Sequence, residues 1–343
     1  MIRFSKIIEK ESKEAPKKRN YKKTDISLRK IGIFDQDGAT EERPMVSDTD
    51  NEGDRYYKKL SKLADLVRDS IQKDEAINIS GITPVMRAIV EKKLIDDIHH
   101  YLTFKSEDAD MLASHSIKVT VVSLKIGVGM NYDNNKLSDL ATCALLQDVG
   151  MYEISSDIVN KQGTLTDYEL KELQRHPQIS ADILSRLDEN YRWLADVALQ
   201  VHERADGSGY PFGLEEGEIH EYAYIIGLAD MYADMTSHRR HGERIEPNAA
   251  IREILDTAQG AFPASVAKAF LSQISFFPLG AYVKLNDRSV GRVIDTNPDY
   301  PLKPAVEISY DSLGNKLSNP RAVDLSQQIL LYITGSIDEG EIS

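Results

Sequence analysis

From residue 108 to about 275 the chain carries apolar residues at helical spacing, with no strand-like alternation. A period of that kind, held over so long a stretch, specifies a helical bundle. It is broken at Asn131-Tyr132-Asp133-Asn134-Asn135, at Lys161-Gln162-Gly163, and over the loop from Gly207 to Gly217. Upstream, Tyr57, Leu60, Leu63, Leu66, Val67 and Ile71 make an amphipathic stripe. Pro84 then stands in the first turn of a second predicted helix carrying Val85, Ile89, Val90, Leu94, Ile95 and Ile98. After Pro278 the texture changes to short runs at 282–285, 292–294, 306–310 and 329–333, separated by turn residues, which read as antiparallel strands. The expected fold is mainly α: a flexible charged arm over 1–52, a helical module over 53–107, a helical domain over 108–278, and a small β-appendage with a tail over 279–343.

Charge and cysteine usage narrow the function classes. The formal net charge is −13 over 343 residues, which argues against a nucleic-acid polymer or an anionic membrane as partner and leaves room for a local basic pocket. One cysteine, Cys143, excludes an intramolecular disulfide and suits a reducing compartment. No stretch reaches about 18 consecutive apolar residues, so the expected location is cytoplasmic. The arm joins a basic run, Lys17-Lys18-Arg19 with Lys22-Lys23, to an acidic one containing Glu41, Glu42, Asp48 and Asp50. That arm and the β-appendage are the expected surfaces for a protein partner.

The sharpest local signal is His202-Glu203-Arg204-Ala205-Asp206-Gly207-Ser208-Gly209-Tyr210-Pro211, where a predicted helix bearing Leu194, Val197, Ala198 and Val201 runs into a turn. Glycine, proline, Asp206 and Ser208 together read as an ordered loop. Glu203 and Arg204 are expected to hold it through ion pairs, with Arg204 a further candidate for a phosphate contact. Elsewhere His115, Asp148, His176 and Asp230 fall on separate helical segments, and Thr166 with Glu169 forms a capping-box signature for the helix expected to carry His176. Asp148 and Asp230 each close an apolar run, and a buried carboxylate needs a cation or hydrogen bonds. Two arrangements satisfy that requirement: a metal centre, or carboxylates capping helices with the histidines bonded in the core. His99, His100, His220, His238 and His241 are read as surface or packing residues.

The set His115, 147–148, His176, HERADGSGYP at 202–211, and Asp230 leading to Arg239 resembles, in order and approximate spacing, the HD-GYP branch of the HD-domain metal-dependent phosphohydrolases. The resemblance covers roughly 108–275. It implies an HD-domain helical bundle with a divalent metal centre, iron or manganese, that hydrolyses cyclic di-GMP to pGpG or GMP. His115, Asp148 and Asp230 match ligands of a first metal, with Asp148 bridging; His176 and His202 match ligands of a second. Arg239 matches a phosphate contact and, with Asp148, the catalytic set; Arg204, Tyr210 and Pro211 complete the expected substrate contacts. The chain departs from the pattern at Gln147, where the family has the histidine of its HD pair and an amide is the weaker ligand for iron or manganese. It departs also at Val201, Met151 and Met111. These losses predict one bound metal or none, and favour a catalytically impaired receptor or adaptor in cyclic di-GMP signalling. An active phosphodiesterase with an altered centre is the alternative, and a purely structural bundle the third reading.

Overall fold

The computed structural model describes residues 52–104, 111–161, 163–237, 245–257, 259–277, 279–297 and 300–337. The expected arm therefore lies outside the described residues, apart from Glu52. The chain enters through α1 (Glu52–Gln72), α2 (Ile79–Glu91) and α3 (Ile95–Phe104), whose apolar faces bury Leu60, Ile82, Met86, Ile89 and Ile98 in the same core as the later helices. The helix expected from Pro84 to Ile98 is two helices. α2 stops at Glu91, and Lys93 takes φ 56°, a left-handed conformation that an α-helix cannot continue through.

Next come α4 (Met111–Gly129) and α5 (Asn134–Leu146), a 3₁₀ turn (Val149–Glu153), α6 (Ser156–Val159), α7 (Asp167–Leu173), α8 (His176–Leu184) and a second 3₁₀ turn (Glu189–Tyr191). α9 (Trp193–Gln200), α10 (Glu221–Thr236), α11 (Pro247–Thr257) and α12 (Ala264–Gln273) complete the bundle. α4 is its axis. It packs against α5, α10 and α12 and buries residues on every side, as a helix apolar all round must. By length and composition α4 could also cross a membrane, but most of it is buried inside the bundle. The capping box at Thr166 and Glu169 is formed, yet it starts α7, which ends before His176. Pro177 explains the break, since it lacks an N–H and its ring crowds the carbonyl four residues back, so His176 opens a new helix.

The appendage is a five-stranded antiparallel sheet, ordered β4-β3-β2-β1-β5, from β1 (Tyr282–Leu285), β2 (Val290–Asp295), β3 (Ala305–Tyr310), β4 (Lys316–Asp324) and β5 (Ile333–Ile337). Val283, Leu285, Val293, Val306 and Ile308 line its buried face. The last strand starts where the apolar run 329–333 ends, leaving Ile329 and Leu330 exposed. β4 carried no signal in the sequence because it is a solvated edge strand containing Pro320, with almost no buried face to impose alternation. Asn248 Nδ2 on α11 donates to Ser336 Oγ at 2.7 Å and ties the sheet edge to the bundle.

Candidate metal centre

Five elements deliver the five side chains to one place. His115 stands in the second turn of α4, Asp148 just beyond α5, His176 at the start of α8, His202 just beyond α9, and Asp230 within α10. Two close approaches fix the spacing. Gly150 lies so near α8 that a Cβ there would meet the His176 carbonyl oxygen at 2.3 Å, and its N–H donates to Ser180 Oγ at 2.8 Å. Gly227 does the same for α10, where a Cβ would meet the Val201 carbonyl oxygen at 2.3 Å.

His115 Nε2 lies 2.8 Å from Asp230 Oδ1 and 3.8 Å from Asp148 Oδ2. His176 Nε2 lies 3.3 Å from Asp148 Oδ1 and 2.8 Å from His202 Nε2, and His202 Nδ1 lies 3.9 Å from Asp230 Oδ2. Donor atoms of His115, Asp148 and Asp230 lie within 4.8 Å of one another, as do those of Asp148, His176 and His202. Asp148 belongs to both groups. Helix capping does not explain the carboxylates: Asp148 makes no side-chain cap bond, and Asp230 sits inside its helix.

The electrostatics describe a cavity that draws positive charge. Burial alone would push His115 down, but the carboxylates of Asp230, Asp234 and Asp148 outweigh it and raise its pKa to about 9. Burial raises the Asp148 carboxyl, and His176, then His115 and the Gln147 amide, more than reverse that. Burial and the neighbouring His176 hold His202 at about 3, so its ring is neutral. In neutral His176 the Nδ1–H donates to the Leu173 carbonyl at 2.7 Å, leaving the Nε2 lone pair facing the centre. Two imidazole nitrogens at 2.8 Å can share one proton or one cation. Asp148 Oδ1 and both amide atoms of Gln147 are buried without a hydrogen-bond partner. Lone pairs that converge and orphaned polar atoms together fit a divalent cation.

The loop closes one side. Tyr210 stacks parallel on His202 at 4.8 Å between centroids and meets His176 edge-on at 6.4 Å. The expected ion pairs do not anchor it: the buried Glu203 carboxylate accepts the N–H of Phe212 at 2.7 Å and of Leu214 at 2.9 Å. Arg204 instead donates to the carbonyls of Val201 and Glu203 and lies over the Phe262 ring. The spacing between Glu203 and the glycine-rich turn was the one clue to this. Pro211 follows Tyr210 in the same loop. His220, read as a packing residue, caps α10 by accepting the Tyr222 N–H at 3.0 Å. Arg239, His238 and His241 lie outside the described residues.

Residues 99–265 match the HD domain family, and residues 282–343 match a KOW domain associated with the HD domain. The cyclic di-GMP phosphodiesterase PA4108 of Pseudomonas aeruginosa is 30% identical over 213 residues, covering 62% of this chain and 51% of the relative. The cyclic di-GMP phosphodiesterase PdeB of Borreliella burgdorferi is 29% identical over 214 residues, covering 62% and 54%. The chain thus spans about half the length of these curated relatives. Among solved structures, Bd1817, an HDG"Y"P protein from Bdellovibrio bacteriovorus, shares the fold with a TM-score of 0.53 at 16% identity, covering 67% of this chain and 73% of that one.

Proposed function

Because the chain belongs to the HD-GYP branch of the HD-domain phosphohydrolases, we propose that it is a metal-dependent phosphodiesterase acting on cyclic di-GMP through an altered centre. The observation that carries this reading is the position of Asp148 in both donor groups. In this reading His115, Asp148 and Asp230 hold one divalent ion, and Asp148, His176 and His202 hold a second. Bound there, such ions supply Lewis-acid polarisation of a phosphodiester and activation of water for attack. The protein's own part is positional. The Leu173 carbonyl holds the proton on His176 Nδ1, and burial keeps His202 neutral, so both present lone pairs inward. Tyr210 shields the His202 face from solvent, and the glutamate clamp beneath the loop fixes that ring.

The receptor reading keeps one supporting observation: Val201 and Met151 place apolar side chains where the family pattern has a histidine and a lysine. The assay is hydrolysis of cyclic di-GMP by purified protein supplied with manganese or iron, beside Asp148→Ala. The expected result is a metal-dependent rate that falls to background in the variant. Tight binding of the intact nucleotide without turnover would move the assignment to the receptor, and an unchanged rate in Asp148→Ala would sink the proposed centre.

A further inference from the structure

Gln147 is 1% exposed, and neither its Oε1 nor its Nε2 has a hydrogen-bond partner. A buried polar atom left in that state destabilises the fold, so an apolar residue would serve better at this position. The nearby Leu146 and Val149 are buried. The amide adjoins Asp148, whose Oδ1 is also without a partner. Two cations account for the orphaned oxygens: one among His115, Asp148 and Asp230 takes the amide oxygen of Gln147, and one among Asp148, His176 and His202 takes Asp148 Oδ1, the oxygen nearer His176.

We propose that Gln147 is a metal ligand through Oε1, and that it makes the two pockets chemically unlike, so that the His115 pocket selects a hard divalent ion such as manganese. This rests on the metal-centre reading above. The donor sets then differ in kind. The His115 pocket offers one imidazole nitrogen with oxygens from Gln147, Asp148 and Asp230, while the other offers the nitrogens of His176 and His202 with one oxygen of Asp148. Oxygen-rich sets suit manganese and magnesium, and imidazole-rich sets suit zinc and iron. An imidazole at position 147 would erase the difference.

The test uses the full chain, stripped with a chelator and equilibrated with manganese and zinc at a fixed ratio. Moles of each metal per chain are measured by elemental analysis, and bound manganese by electron paramagnetic resonance, in the native protein, Gln147→His, Gln147→Leu and Asp148→Ala. The native protein is expected to retain about tenfold more manganese relative to zinc than Gln147→His. Gln147→Leu is expected to lose the manganese signal while keeping zinc and its fold, because an apolar side chain suits the buried position. Equal manganese-to-zinc ratios in native and Gln147→His, or an unchanged manganese signal in Gln147→Leu, overturn the role of Gln147 and leave the centre standing. Metal content in the native protein no higher than in Asp148→Ala overturns the centre itself.

Discussion

Glu203 shows what a single buried charge does for this site. Its two oxygens take two backbone N–H groups of the loop, and the loop carries Tyr210 over His202. In Glu203→Gln one of those N–H groups would face an amide NH₂, exchanging a charge-assisted bond for a clash of donors. The expected loss is about 2 kcal/mol of unfolding free energy, read from chemical denaturation. The convergence of His115, Asp148, His176, His202 and Asp230 was legible from the family resemblance and from the two aspartates that close apolar runs. The glutamate clamp was less so: a charge beside Arg204 invites an ion pair on paper, and only the turn geometry brings two amides within its reach. The amide of Gln147 was legible as a departure, while its lack of any protein partner needed coordinates.

At the scale of elements, the site depends on how closely helices approach. Gly227 lets α10 touch the end of α9, so Gly227→Ala would drive a methyl group against the Val201 carbonyl and move Asp230 away from His202. A loss of about 1–3 kcal/mol is expected from overpacking, together with fewer metal ions per chain by elemental analysis. Gly335→Ala is the control, since a Cβ there meets nothing within 4 Å and its effect should stay within about 0.5 kcal/mol. Periodicity revealed the helices and most strands because burial repeats every 3.6 or every 2 residues. It missed the breaks at Lys93 and Pro177, where one backbone conformation or one missing N–H overrides a continuous apolar pattern, and it missed β4, whose exposure leaves no pattern to find.

For the molecule as a whole, one part of the pH dependence of stability comes from His99, half-buried on α3. Burial, followed by the charge of Lys125, lowers its pKa to about 3, against about 6.5 unfolded. A depressed histidine binds its proton more readily in the unfolded chain, so stability is full above pH 6.5 and falls as the pH drops toward 3. The loss contributed by His99 between pH 8 and pH 5 is about 2 kcal/mol. His99→Gln should flatten that part of the curve, measured by urea unfolding at each pH in metal-free protein. A second property belongs to the same scale. The donors His115, Asp148, His176, His202 and Asp230 come from five separate stretches of chain, so an ion they share acts as a non-covalent cross-link that the unfolded chain cannot form. At a free concentration of 100 times its dissociation constant such an ion would add about 2.7 kcal/mol to the whole bundle. Melting temperature should therefore climb with the logarithm of metal concentration, making heat resistance a direct titration of the centre even where no turnover is measured.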